Sequence, residues 1–253
     1  MPRFFLQLQY NGSRYHGWQT QHNALGVQTV VEKCLSFKLN EKIAVTGCGR
    51  TDTGVHARLY FAHFDTVAPA ELVLSDQFLF QLNTCLPNDI VADAFFEVQE
   101  HANARFDAVS RTYHYYLSLQ KDPFQNDRSL YVFGNLDVEQ MQQCADLLIE
   151  YKDFTSFSKL HSQTKTNLCQ VVEAQFLPWE KGLVFKITAD RFLRNMVRAI
   201  MGTLLEAGKN KINVDDFRQI ILAKDRGRAG FSVPAHGLFL EDITYPESIW
   251  KLR

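Results

Sequence analysis

Along this chain the spacing of apolar residues switches repeatedly between every second and every third or fourth position, and that switching restricts the fold more than any single motif. Apolar and polar residues alternate from Arg3 to Tyr10, the pattern of a strand. Val27, Val30, Val31, Cys34 and Leu35 then recur at helical spacing within Val27 to Leu39. Ile43 to Cys48 and Leu59 to Val67 read as strands. Ser75 to Leu86 reads as a helix, with Ser75 as N-cap and Pro87 beyond its end, and Ile90 to Val98 and Arg111 to Leu119 return to strand. The second half repeats the style. A helix covers Val138 to Tyr151, strands cover Val171 to Leu177 and Leu183 to Ala189, a basic helix follows, then a helix over Val214 to Ala223 and a last strand over Leu238 to Tyr245. The expected fold class is therefore α+β: two similar mixed α/β halves, each with antiparallel sheet flanked by helices, without a letter-by-letter repeat. The halves are expected at 1–119 and 136–253, with 120–135 as the link, because Pro123, Asn126, Asp127 and Gly134 interrupt both periods there.

A chain of 253 residues has length enough for a core of real size. Its 46% hydrophobic, 22% charged and 13% aromatic residues exclude a disordered or fibrous polymer. No apolar run approaches the roughly 20 residues that span a bilayer. The opening MPRFFLQLQY alternates like a strand instead of forming a charged and then apolar leader, so a cytoplasmic protein away from membranes is expected. Cys34, Cys48, Cys85, Cys144 and Cys169 are odd in number and form no CxxC pair. They suggest neither a zinc site nor a disulfide framework, and reduced, mostly buried thiols are expected.

A net charge of −1 argues at first against a nucleic-acid partner. The average hides segregation. From Leu59 to Ala104 there is no Lys or Arg, against Asp65, Glu71, Asp76, Asp89, Asp93, Glu97 and Glu100. Lys186, Arg191, Arg194 and Arg198 gather around Asp190 alone, and Arg218, Lys224, Arg226 and Arg228 around Asp225 alone. Arg191, Arg194 and Arg198 follow the i, i+3, i+7 spacing of one helical face, opposite Phe192, Met196, Val197, Ile200 and Leu204. Such a helix would pack on one side and offer a row of guanidinium groups on the other. A solvated charged face is the plainer reading, and arginine in place of lysine tilts it toward phosphate.

Chemistry concentrates in Thr46-Gly47-Cys48-Gly49-Arg50-Thr51-Asp52-Thr53-Gly54-Val55-His56-Ala57, where three glycines and an acid interrupt two strands. No GK[ST] follows the glycines, so this is not a phosphate loop of the nucleotide-binding kind. Asp52 and His56 lack a third nearby ligand, so it is a poor metal site. What remains is a glycine-permitted loop that thrusts a carboxylate out between an Arg and a His. If Arg50 to Asp52 is extended, positions i and i+2 share a face and the guanidinium can hold the carboxylate ionised and aim it. An oriented carboxylate is a candidate nucleophile or base, whereas an Asp beside Gly in a loop is ordinarily a turn or cap residue.

Gly49-Arg50-Thr51-Asp52-Thr53-Gly54-Val55-His56-Ala57 resembles the GRTDAGVHA signature of the tRNA pseudouridine synthase A family, with Thr53 in place of the usual alanine. Further blocks match in family order: Tyr10-Asn11-Gly12 through Tyr15-His16-Gly17-Trp18-Gln19, Ala104-Arg105-Phe106-Asp107-Ala108, Arg111-Thr112-Tyr113-His114-Tyr115 and Asp153-Phe154-Thr155-Ser156-Phe157. Phe192-Leu193-Arg194-Asn195-Met196-Val197-Arg198, Gly202-Thr203-Leu204, Gly237-Leu238-Phe239-Leu240 and Tyr245-Pro246 complete the series, so the resemblance covers nearly the whole chain.

The resemblance implies the pseudouridine synthase fold and isomerisation of uridines 38, 39 and 40 in the anticodon stem-loop of tRNA. The C1′–N1 bond breaks and a C1′–C5 bond forms, with no cofactor and no metal. Asp52 would be the catalytic residue, attacking sugar or base or taking the ribose 2′ proton; all three roles stay open. Tyr113 would stack on the uracil and could help remove the C5 proton, although on β-propensity it reads equally as a half-buried strand residue. Arg50 would hold Asp52 and fill the space of the extruded base, and Leu238 or Leu240 would press the uracil from the other side. His56 would support the loop by a hydrogen bond. Arg191, Arg194, Arg198, Arg226 and Arg228 would contact the tRNA backbone. The resemblance further implies a homodimer, in which two basic faces could form one cleft. Two other classes compete: a non-catalytic RNA-binding protein, and a metal-dependent hydrolase using Asp52, His56, His16 and His63.

Overall fold

The computed structural model describes residues 1–159 and 166–251. In chain order the elements are β1 (Arg3–Tyr10), α1 (Val27–Leu39), β2 (Thr46–Gly47), β3 (His56–Asp65), α2 (Ala70–Val73), α3 (Asp76–Cys85) and β4 (Ile90–Val98). They continue as β5 (Ser110–Ser118), β6 (Leu130–Tyr131), α4 (Val138–Glu150), β7 (Val171–Trp179), β8 (Gly182–Ala189), α5 (Met196–Gly208), α6 (Val214–Ala223) and β9 (Leu238–Thr244). The fold is mixed, with mostly antiparallel sheet flanked by helices, as the periodicity implied.

Two compact units divide the chain, Met1–Val109 with Leu240–Arg253, and Ser110–Phe239. This differs from a division at a 120–135 link, for local reasons. β5 belongs to the second unit because it pairs with β8 over eight positions, Arg111 opposite Ala189 to Ser118 opposite Gly182. The intended link is not a free connector either: Leu130 and Tyr131 lie parallel to Leu117 and Ser118. The end of the chain returns to the first unit, where Tyr245 and Trp250 pack against Phe5 and Phe61 at ring-centroid distances of 5.2 to 6.0 Å.

In the first unit β1 runs antiparallel between β3 and β4, with Phe5 opposite both His63 and Phe96. Phe4, Phe5 and Leu6 are all fully buried, so both faces of this strand are covered. One covering layer is the aromatic cluster just named. On helix α1, Val27, Val31, Cys34 and Leu35 form the buried stripe. Helix α3 starts where Ser75 Oγ accepts the Phe78 N–H at 3.1 Å, and the Asn83 side chain bonds both Ala92 N–H and C=O at 2.8 Å, stitching α3 to β4. The strand expected over Ile43 to Cys48 shrinks to Thr46–Gly47. Side chains of α1 take the upstream donors: Ile43 N–H donates to Ser36 Oγ and Val45 N–H to Glu32 Oε1, each at 2.9 Å.

In the second unit β5, β8 and β7 lie side by side, antiparallel, with α4 against β7 and α5. Gly208 lets α5 approach α4 closely, since an added Cβ would stand 2.4 Å from Met141 Sδ. Tyr116, Val184 and Phe239 form a buried cluster with Leu177 and Trp179 against it. Helix α6 opens on a capping box, Asn213 with Asp216.

The basic helix is corrected by the structure. α5 begins only at Met196, so Arg191 and Arg194 precede it. Asn195 has a left-handed φ of 66°, which no interior helical residue adopts, and it ends any helix that would carry the three arginines on one face. Helix α5 is also buried nearly all round, so it offers no row of guanidinium groups.

Candidate active site

The loop bearing Asp52 lies within the first unit, between β2 and the start of β3, and its backbone is held by the segment that follows β1. Tyr60 Oη donates to Gly49 O at 2.5 Å, and the Thr51 and Tyr10 hydroxyls share a hydrogen bond of 2.9 Å. Trp18 N–H donates to Thr51 O at 3.4 Å, Gly54 N–H to Tyr15 O at 3.3 Å, and Val55 N–H to Asp52 O at 3.1 Å. The backbone is thus pinned on both sides of Asp52, whose side chain is half-buried. Two glycines make the cradle possible. At Gly12 a Cβ would stand 2.0 Å from Val55 O, and at Gly17, with φ +86°, 2.3 Å from Thr51 O. Beneath the loop, Trp18 stacks on Tyr60 at 4.1 Å.

His56 is 1% exposed, and its Nδ1 accepts the Gly12 N–H at 3.1 Å. That acceptor role leaves the proton on Nε2. A loop-supporting hydrogen bond is what the residue supplies. His63 is similarly engaged: Nδ1 accepts the Ala104 N–H at 3.1 Å, and burial, helped by the nearby Arg3 charge, holds its pKa down to about 4. A hydrolase built on Asp52, His56, His16 and His63 would draw on two rings already committed to backbone amides, while His16 is exposed. Among the described residues no group of three or more His, Cys, Asp or Glu could hold a metal ion.

Arg50 is exposed and its Nε donates to Gln19 Oε1 at 3.1 Å, so the structure aims this guanidinium toward the cradle segment. A small cleft beside it is lined by Trp18, Gln19, Gly49, Arg50 and Arg105 among others.

Of the remaining expected site residues, all but Leu240 belong to the second unit. Tyr113 on β5 lies opposite Ile187, half-buried, with Phe192 set edge-on at 5.1 Å. Leu238 opens β9 and is 6% exposed; Leu240, in the first unit, is 1% exposed. Arg194 is exposed and Arg191 half-buried in the turn before α5. Arg198 Nε donates to Val233 O at 2.7 Å. Arg226 clamps its own loop, donating to Ala229 O, Gly230 O and Ser232 Oγ at 2.9 to 3.2 Å. Arg228 is exposed. All five cysteines are free thiols, and Cys85 alone of them is not fully buried. Burial pushes Cys144 up to about 11 and Cys169 up to about 12.

Spacing alone did not single out Tyr10, Gly12, Tyr15, Gly17 and Trp18 as parts of the site. Their signal was the first family block, whose role is to hold the Asp52 loop some 40 residues later.

Mostly antiparallel sheet flanked by helices fits the pseudouridine synthase fold, and residues 145–246 match the family model described as tRNA pseudouridine synthase. Similarity extends further along the sequence. The tRNA pseudouridine synthase A of Porphyromonas gingivalis is 51% identical, covering 99% of this chain and 100% of that one. Its counterpart in Parabacteroides distasonis is 48% identical with both chains fully covered, and that in Clostridium acetobutylicum 41% identical over 97% of this chain and 100% of its own. The chain belongs to the tRNA pseudouridine synthase A family. Among the described residues no helix is long and apolar enough to cross a membrane.

Proposed function

We propose that this chain isomerises uridines 38, 39 and 40 of the tRNA anticodon stem-loop to pseudouridine, with Asp52 as the catalytic carboxylate. The observation that carries the reading is the pinned loop. Hydrogen bonds at positions 51, 54 and 55 fix the backbone around Asp52 while leaving its carboxylate half-exposed, the arrangement wanted of a nucleophile or base. In the reaction the C1′–N1 bond breaks, the uracil turns, C5 bonds to C1′, the C5 proton leaves and N1 gains one. Nothing is oxidised or reduced. A uridine in a stem must leave the helix before its C1′ can be reached, and Arg50, exposed beside the loop, can occupy the space it vacates.

Tyr113 is assigned to stack on the flipped uracil, a contact worth roughly 1–3 kcal/mol, with Leu238 opposite it. Arg191, Arg194, Arg198 and Arg228 are assigned to backbone phosphates. Arg226 would contribute charge rather than reach, because its donors hold its own loop. The protein is proposed to act in the cytoplasm as a homodimer.

The test is release of tritium from tRNA carrying uridine tritiated at C5, by wild type and by Asp52→Asn, with a chelator present. Wild type should release label and the variant should bind tRNA without releasing it. Binding by wild type without release, across tRNAs with uridine in the anticodon stem, would favour an RNA-binding protein. Loss of wild-type release on chelation would favour the metal-dependent class.

A further inference from the structure

Among the acids between Leu59 and Ala104, Asp89 points its carboxylate into the segment that holds the Asp52 loop. Its side chain is 17% exposed and Oδ2 is buried. Oδ1 accepts the Tyr15 hydroxyl at 2.6 Å, and the residue's own carbonyl accepts the Asn11 N–H at 2.9 Å. Residue 89 therefore holds the turn from Asn11 to Tyr15 at both ends. The turn closes on itself where Tyr15 N–H donates to Gly12 O at 3.0 Å. From there the contacts pass directly to the Asp52 loop. Tyr15 O accepts the Gly54 N–H at 3.3 Å, and Gly12 N–H donates to His56 Nδ1 at 3.1 Å. The turn is clamped between the start of β4 on one side and positions 54 and 56, just past Asp52, on the other.

Stability alone does not call for a carboxylate here. Burying a charged group costs free energy unless hydrogen bonds and an opposite charge compensate it. Among the described residues the compensation is one hydroxyl and Arg14, whose Nη1 lies 3.6 Å from Oδ2 on a side chain that is 82% exposed. A neutral acceptor would hold the same turn with less desolvation. What the carboxylate adds is strength and direction, since a hydroxyl bonded to a charged oxygen sits at roughly 2.5–2.7 Å and the bond is about twice as strong as a neutral one. The Tyr15–Asp89 separation of 2.6 Å lies in that range. Tyr15 keeps its proton: burial, with the bond to Asp89 second, pushes its hydroxyl well above the usual tyrosine range. The ring is 4% exposed, so packing holds what the bond aims.

We propose that Asp89 is a positioning residue for the Asp52 reaction, acting through the Tyr15 hydroxyl and the Gly54 amide to fix where the Asp52 carboxylate stands. This inference rests on the proposed Asp52 chemistry. The role is to set geometry, neither binding RNA nor moving a proton. A displacement of about 1 Å in a reacting group costs on the order of a hundredfold in rate, so a clamp two hydrogen bonds removed from the loop governs the chemical step while leaving affinity for tRNA alone.

The experiment compares wild type, Asp89→Ala, Asp89→Asn, Tyr15→Phe and Asn83→Ala, each well below its own melting temperature. The readouts are tRNA binding, single-turnover tritium release at saturating enzyme, and hydrogen exchange of the Gly54 amide. Asp89→Ala and Tyr15→Phe should slow the single turnover about tenfold or more while binding tRNA within about twofold of wild type. Combining them should slow it little further, because both break the same bond. Asp89→Asn keeps an acceptor for the Tyr15 hydroxyl and should recover most of the rate. Exchange at Gly54 should quicken in Asp89→Ala and Tyr15→Phe. Asn83→Ala releases β4 from α3, so it should lower the melting temperature yet leave the rate and the Gly54 exchange at wild-type values. Should Asp89→Ala fail to fold, Tyr15→Phe, which removes a single oxygen, decides alone. If Asp89→Ala and Tyr15→Phe react at the wild-type rate, or Asn83→Ala slows the reaction as much as they do, the positioning role is refuted and the function stands. If wild type itself releases no label, the reaction reading falls and this inference falls with it.

Discussion

Replacing Gly17 by alanine tests whether the cradle sets the position of Asp52. Gly17 has φ +86°, and an added Cβ would lie 2.3 Å from Thr51 O and 3.2 Å from the Asp52 carbonyl carbon. The left-handed backbone alone costs alanine roughly 1–2 kcal/mol. Overlap with a main-chain carbonyl, which cannot swing aside as a side chain can, adds about 1–3 kcal/mol. If the loop keeps its place the sum is roughly 2–5 kcal/mol, and at about 2–4 °C per kcal/mol for a chain of this size the melting temperature falls by roughly 4–20 °C. If the loop yields instead, Asp52 moves with Thr51, and a displacement of about 1 Å costs on the order of a hundredfold in rate. Gly49→Ala is the control from the same loop. A Cβ there meets nothing within 4 Å, so its cost should stay within about 0.5 kcal/mol. Thermal melts and single-turnover tritium release on both variants decide the matter. Gly17→Ala that melts and reacts like wild type, or Gly49→Ala that loses as much as Gly17→Ala, would refute the cradle.

Three further outcomes follow from the same geometry. His63 is neutral when folded, with its pKa held near 4 against about 6.5 unfolded, so between those values the unfolded chain takes up a proton that the native protein refuses. Stability should therefore fall as pH drops through that window, by about 2 kcal/mol from His63 at pH 5, and urea titrations should show a flatter pH dependence for His63→Gln; an unchanged dependence would sink the assignment. Asn195→Val should lose about 2 kcal/mol or more at its left-handed φ, and Asn195→Gly less than about 1 kcal/mol, with equal losses in denaturant midpoints counting against the helix stop. Arg226→Ala should lower the melting temperature because three loop hydrogen bonds vanish, whereas Arg228→Ala should leave it and reduce the salt slope of tRNA binding by about one; the reverse pattern would exchange their roles.

Elements whose period is written in side chains were legible in advance. β1, α1, β4 and α6 run over the residues that periodicity assigned, and Ser75 caps α3 as its place before an apolar run implied. Long-range exchange of donors was not legible. Ile43 to Val45 has the composition of a strand, but its N–H groups are taken by Ser36 and Glu32, and nothing in a period of two reveals that competition. The Asp52 loop was visible as chemistry, whereas its support was visible only as a separate block of letters, because the Thr51 and Tyr10 hydroxyls meet across 41 positions of sequence.

The arginines show most clearly what a sequence count misreads. Arg191, Arg194 and Arg198 have helical spacing, yet one left-handed asparagine separates the first two from the helix. Arg198 and Arg226 then donate to main-chain carbonyls, and Arg111 does the same to Asp190 O at 2.8 Å. A carbonyl leaves the guanidinium charge in place but takes up one of its five N–H donors and limits how far it can swing. For a chain of net charge −1, exposure on loops then matters as much as the count of cations in its basic clusters, and Arg50 and Arg228 are exposed there. Arg50 lines the cleft beside the Asp52 loop. Affinity placed there, instead of along a uniformly basic face, would concentrate the salt-dependent part of binding where the uridine must be turned out.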